Sequence, residues 1–206
     1  MKIEKVATTN LWYDIIMVMI KNFYHLKFFN NPLKSNFTLP KLEHKNYANQ
    51  RWYLHYYQGD EHNDLINDDI LAWADKNNLK VEHCHIFAGP PNEQQDIHTD
   101  GPIGISVFGI NYVLSGHDSY MAWYNATDNC DYLTTSASHP FRRWNDNECV
   151  EIERDALSGP TLINASTPHR VVNNSNEYRW SLSLRFKNNF SSWEETVKFF
   201  KPYILE

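Results

Sequence analysis

The sequence lacks the features that mark several large classes of protein. Cysteine is scarce: Cys84, Cys130 and Cys149 are the only three, an odd number with no C-x-x-C spacing. That argues against a disulfide framework and fits a reducing compartment. Long apolar runs are missing as well. The first, Ile15 to Ile20, follows Asp14, is too short to span a membrane, and has no small-residue cleavage site after it. There is no basic stripe. Nineteen Lys and Arg face 25 Asp and Glu, a formal charge of −6, which argues against a general nucleic-acid binder. No internal repeat, low-complexity tract or clear linker divides the chain. These absences lead to the expectation of a soluble cytoplasmic protein that engages neither membrane nor nucleic acid. They leave substrate and oligomeric state open.

What is present is enough apolar material for a sizeable core. Of 206 residues, 42% are apolar and 15% aromatic, which suits one domain. Within it, residues 1–80 read as a mixed, largely helical support, 81–190 as a β core and 191–206 as a closing helix. Leu11, Ile15, Val18 or Met19, Phe23 and Leu26 recur at near-helical spacing, so a helix is expected over 11–29, ended by Asn30-Asn31-Pro32. Arg51 to Tyr57 is aromatic-rich and reads as a strand, and Asp60 to Asn78 as a helix with Leu65, Ile66, Ile70, Leu71 and Trp73 on its apolar side.

From Val81 the pattern is β. Strands are expected at Val81 to Ala88, Ile103 to Leu114, Ser119 to Asn125, Cys149 to Leu157, Thr161 to Ile163, His169 to Asn173 and Arg179 to Phe186. Residues 127–147 read as an irregular insertion, and Trp193 to Phe200 as a helix. About eight short strands separated by turn signals at 8 to 12 residues suggest a sandwich or jelly-roll barrel. The expected fold is therefore mainly β with supporting helices: a double-stranded β-helix.

Two stretches carry candidate chemistry. In Ile97-His98-Thr99-Asp100-Gly101 a His and an Asp stand two apart, which on extended backbone points both to one side. In Thr167-Pro168-His169-Arg170 a second His opens a later strand. Two imidazoles and a carboxylate with one side left open form the ligand set of non-haem Fe(II) oxygenases. Ten residues after His169, the strand from Arg179 puts Arg179, Ser181, Ser183 and Arg185 on one face and Trp180, Leu182, Leu184 and Phe186 on the other. Two arginines on an inner face are costly unless they meet anions, and guanidinium binds carboxylate in two-pronged fashion.

With these residues in view, the sequence resembles the Fe(II)- and 2-oxoglutarate-dependent dioxygenase superfamily. Members carry H-x-D, a distal His, and an Arg or Lys about ten residues later, which in one branch belongs to an R-x-S motif. The Gly89-Pro90-Pro91 loop before His98 and the Gly159-Pro160 turn fit too. The resemblance covers residues 81–186. It implies that His98, Asp100 and His169 hold iron, that Arg179 pairs with the C5 carboxylate of 2-oxoglutarate with help from Ser181, and that Asn111 or Tyr112 adds a polar contact. It further implies oxidative decarboxylation of 2-oxoglutarate by O₂ to succinate and CO₂, coupled to hydroxylation of a C–H bond in a small molecule, amino acid or peptide side chain.

Each assignment has a plainer alternative. His98 and Asp100 could form an exposed turn in which Asp caps an amide. Arg179 could pair with Glu151 or Glu153, and Arg185 could be the anion anchor instead. His83 and His85 alternate along one strand and read as sheet-surface or rim residues. Trp123, Tyr124, Phe141 and Trp144 read as core or lid packing, and Arg142-Arg143 as a solvated pair. At the level of function, the alternatives are a non-catalytic, cupin-like jelly roll that binds metal or sugar, and a nucleic-acid demethylase, which the acidic balance disfavours.

Overall fold

The computed structural model describes residues 20–40, 42, 53–101, 107–134, 140–187 and 190–206. Strand β1 is Phe23–His25 and β2 is Tyr53–Gln58. A 3₁₀ turn over Gly59–Asp64 leads to α1, Asp68–Lys76. Then follow β3 (Val81–Gly89), β4 (Glu93–Gln94), β5 (Ile97–Thr99), β6 (Phe108–Val113), β7 (Ser119–Ala126), β8 (Asp131–Thr134) and β9 (Pro140–Trp144). The chain closes with β10 (Cys149–Asp155), β11 (Thr161–Asn164), β12 (His169–Asn173), β13 (Arg179–Phe186) and α2 (Trp193–Phe200).

The strands form two antiparallel sheets. One has six strands in the order β1-β11-β6-β13-β3-β2, the other seven in the order β10-β7-β12-β5-β9-β8, with β4 also pairing β12. From β3 onward the chain passes back and forth between the sheets, which is the connectivity of a double-stranded β-helix. The expected jelly-roll core is thus the observed one.

Three apolar layers hold it together. Between the sheets lie Phe23, Met121, Trp123, Leu157, Ile163 and Ala165. The Trp123 indole stacks on Phe23 at 5.4 Å and donates from Nε1 to the Asn164 carbonyl at 2.9 Å, so one side chain ties the two sheets. Outside the six-stranded sheet, Ile110, Tyr112, Leu182, Leu184 and Phe186 meet Ile70 and Ala74 of α1 and Trp193 and Phe200 of α2. The third layer backs the seven-stranded sheet with Ile97, Ala122, Tyr124 and Trp144. Strand β13 is therefore apolar toward the helices and polar toward the barrel interior, as its alternation requires. Among the described residues no helix is long and apolar enough to cross a membrane.

Several elements differ from the sequence reading. In the described part of 11–29 the chain is a strand: Phe23–His25 pairs with Thr161–Ile163, and Leu26 bridges to Ile204. An open sheet edge and the Trp123 face outweigh helical spacing there, while residues 11–19 lie outside the described residues. The helix expected from Asp60 is divided, because the Asn67 side chain accepts from the Asp69 amide at 2.9 Å and starts α1 only at that point. The strands expected from Arg51 and Ile103 are seen from Tyr53 and Phe108; residues 51–52 and 102–106 lie outside the described ones. The insertion expected to be irregular contains β8 and β9, and β9 adds to β5. In β10, Val150 is 70% exposed, opposite the exposed Asn125, and Ile152, 47% exposed, falls where this edge strand shifts register between Glu151 and Glu153.

Candidate metal centre

His98 lies in β5 and His169 opens β12, and the two residues are direct cross-strand partners. Cross-strand partners share a face, so their rings meet with centroids 4.6 Å apart. Asp100, one residue past β5, is held by its own amide, which donates to the Ala165 carbonyl at 2.9 Å. The donor atoms of His98, Asp100 and His169 all lie within 4.8 Å of one another, and His98 Nε2 is 3.5 Å from Asp100 Oδ1. The exposed-turn alternative is not what the chain adopts.

The imidazoles are oriented from behind. His98 Nδ1 donates to the Asp96 carbonyl at 2.8 Å, and His169 Nδ1 to the Thr167 carbonyl at 2.8 Å. A carbonyl only accepts, so each Nδ1 carries the proton and each Nε2 lone pair is left for the centre. This is the backing that metal-binding histidines receive. Burial, followed by the neighbouring His98, pulls His169 down to about 4. For His98, burial acts downward, but the hydrogen bond and charge of Asp100 and the Asp96 carbonyl raise it overall. Burial would raise Asp100, yet the Arg185 guanidinium and the two imidazoles hold it far below the usual carboxylate range. The cluster therefore holds a firmly ionised carboxylate and at least one neutral imidazole near neutral pH.

Arg179 is 2% exposed. Its Nε donates to Ser119 Oγ in the opposite sheet at 3.0 Å and its Nη1 to Ser181 Oγ at 2.8 Å. Among the described residues no carboxylate pairs with it: Glu151 is engaged by Arg154, and Glu153 by Asn22. Burial pulls the guanidinium down to about 10. Ser119 stands four residues along β7 from Trp123, the residue opposite His169. At about 3.3 Å per residue, that puts the Arg179 end about 13 Å along the strand from the His169 backbone.

Asn111 and Tyr112 part company. Asn111 is opposite Ser183 and faces the interior; Tyr112 is opposite Leu182, in the layer under the helices. Of the two, only Asn111 shares a face with Arg179. The Tyr112 assignment therefore fails: a one-residue step along a strand reverses the face. Burial also raises the Tyr112 hydroxyl well above its usual range. Asn111 Oδ1, Ser183 Oγ and Arg185 Nη1 are buried without a hydrogen-bond partner among the described residues.

Other candidates settle as follows. His83 and His85 lie opposite Arg185 and Ser183, and so on the inner face rather than the sheet surface. Trp123 is core between the sheets, and Tyr124 and Trp144 are core behind them. Arg143 binds Asp131 at 3.0 Å and Asp96 at 3.5 Å. Arg185 does not point at a free interior: its Nη2 is 2.6 Å from Asp100 Oδ2. Neither this pair nor Ser119 was foreseen from the sequence, although Ser119 shares its face parity with Met121 and Trp123.

No family model matches the sequence, and no curated protein matches it. Solved structures that resemble it in part include the Lactobacillus farciminis oxalate decarboxylase formate complex, at 13% identity over 68% of this chain and 30% of that one, TM-score 0.34. Two structures of Bacillus subtilis oxalate decarboxylase follow: one from a study of its Mn(II) centres, at 12% identity over 54% and 23%, TM-score 0.30, and one at pH 4.6, at 15% identity over 53% and 22%, TM-score 0.31. The chain spans less than a third of the length of these proteins. Such likenesses bear on neither its metal nor its substrate.

Proposed function

We propose that the protein is an Fe(II)- and 2-oxoglutarate-dependent oxygenase that hydroxylates a C–H bond of a small molecule, amino acid or peptide side chain. The observation that carries this reading is Arg179, a fully buried guanidinium with no counter-ion among the described residues, on the same interior as a His-Asp-His cluster. A buried cation is tolerated when an anion completes it, and a metal-binding barrel alone has no use for one.

The residues fit the group. Two Nε2 lone pairs and one carboxylate oxygen, without a thiolate, make the two-histidine, one-carboxylate set that leaves adjacent positions open on iron(II). The separation of Arg179 from that set calls for an elongated ligand with an anion at its far end. 2-Oxoglutarate answers this, whereas a two-carbon diacid such as oxalate would leave Arg179 unmet. Asn111, Ser183 and Arg185 offer buried polar atoms with no partner among the described residues, so a bound ligand also relieves a cost of about 1–3 kcal/mol for each.

When bound, iron with 2-oxoglutarate and O₂ supplies the oxidative decarboxylation that yields succinate, CO₂ and a hydroxylated substrate. The chain's own part is placement. His98 and His169 are kept in one tautomer by Asp96 and Thr167. Arg179, steadied by Ser119 and Ser181, binds the distal carboxylate through paired N–H groups. Met121 and Trp123, with Val113 and Val171 packed against them, wall the interior against water.

The test is turnover. Protein supplied with Fe(II), 2-oxoglutarate and O₂ should release succinate, detected by mass spectrometry, and His169→Ala should release none. Tight divalent-metal binding with no succinate and no affinity for 2-oxoglutarate would favour a non-catalytic, cupin-like barrel instead.

A further inference from the structure

Arg185 sits six residues beyond Arg179 on the same inner face of β13 and is 7% exposed. Among the described residues its one ion pair is with Asp100, Nη2 to Oδ2 at 2.6 Å. The other carboxylate oxygen, Oδ1, faces His98 Nε2. The two oxygens of Asp100 are thus divided, one on the arginine and one on the cluster.

The route of the arginine is built into its neighbour. Gly109 of β6 lies opposite Arg185. A Cβ at that position would stand 3.0 Å from Arg185 Nη1 and 3.2 Å from its Cδ. The missing side chain lets the arginine lie across β6 toward β5, where Asp100 follows. Because the Asp100 amide is already bonded to Ala165, carboxylate rotation is the freedom that remains. Arg185 removes it.

We infer that Arg185 is a positioning residue that holds Asp100 as a one-oxygen metal donor, keeping the carboxylate from closing on the ion with both oxygens and filling a position the co-substrate needs. This rests on the reading that His98, Asp100 and His169 bind a metal. Two effects of the guanidinium compete. Its charge repels a divalent ion, so its removal could tighten metal binding; its grip orients the carboxylate, so its removal should weaken binding. Orientation wins here, because the guanidinium contacts the carboxylate directly, Nη2 to Oδ2 at 2.6 Å, and outer partners of this kind set the orientation of a metal ligand.

The experiment is anaerobic Co(II) titration of the metal-free full chain by calorimetry, with the visible d–d spectrum of the loaded protein recorded alongside. Arg185→Gln is expected to weaken Co(II) by about 10- to 100-fold, the usual effect of losing a partner of a metal ligand, and to change the spectrum as the carboxylate shifts to two-oxygen binding. Arg185→Lys, which keeps the charge but loses the fork, should show both changes in smaller degree, and it is the variant to read if Arg185→Gln does not fold. Affinity unchanged or increased, or a spectrum identical to wild type, overturns the inference. A wild-type protein that binds no Co(II) overturns the metal reading itself, and this inference with it.

Discussion

Replacing Arg179 by Gln should separate co-substrate binding from metal binding. Arg179 touches Ser119 and Ser181 and none of the three metal-donor side chains, so Co(II) affinity should stay at its wild-type value. Its burial draws the guanidinium from 12.5 to about 10, which at 1.36 kcal/mol per unit is about 3 kcal/mol of desolvation that a bound carboxylate can offset. Losing one member of a buried, hydrogen-bonded charge pair costs a similar 2–5 kcal/mol or so. A loss of about 3 kcal/mol corresponds to a Kd for 2-oxoglutarate raised by roughly a hundredfold. The assay is calorimetry of 2-oxoglutarate into Co(II)-loaded protein without oxygen. The reasoning is refuted if Arg179→Gln binds 2-oxoglutarate as wild type does, or if only Arg185→Gln loses it.

Two further outcomes follow from the geometry. Gly116 has φ +71°, and a Cβ there would stand 2.6 Å from Arg179 Cα. Gly116→Ala should therefore cost about 2–4 kcal/mol in backbone strain and overpacking, lowering the Tm by roughly 4–16 °C for a chain of this size; a Tm within a degree of wild type would contradict the contact. The metal-free protein should also lose stability in acid. The folded pKa of His169 lies at about 4, below its ordinary 6.5, so its contribution is present above pH 6.5 and is lost as the pH falls toward 4. That amounts to about 2 kcal/mol between pH 7.5 and pH 5. The raised His98 acts in the opposite sense, gaining as pH falls, so the test is a difference: urea midpoints of wild type and His169→Phe at both pH values. An equal pH dependence in the two proteins would refute the assignment.

The legible parts of the sequence were those where alternation and turn signals agree. Arg179–Phe186 carries four polar residues on one face and four apolar on the other, and its strand runs between those residues. His169–Asn173 and Trp193–Phe200 were equally plain. What misled was local spacing that the tertiary structure overrides. Phe23 and Leu26 suit a helix, yet the open edge of β11 and the face of Trp123 make them strand and bridge. Asn67 inside the run from Asp60 to Asn78 was the hidden cap.

At the site, parity placed Arg179, Ser181 and Arg185 inward but not their partners. That Arg185 meets Asp100, and Arg179 meets Ser119, depends on how two sheets face one another, and no local pattern encodes that. Choosing Asn111 over Tyr112 likewise needed the register of β6 against β13. The double role of the inner face, holding the carboxylate at one end and presenting at the other a cation with no counter-ion among the described residues, emerges only from the assembled barrel.

The most direct measurement is visible absorption of the anaerobic protein with Fe(II) and 2-oxoglutarate together. Chelation of iron by the keto acid on the open side of His98, Asp100 and His169 predicts a weak charge-transfer band. It should be absent with Fe(II) alone or 2-oxoglutarate alone, and greatly reduced in Arg179→Gln at the same concentrations. Tight Fe(II) binding with no such band at saturating 2-oxoglutarate would contradict the account.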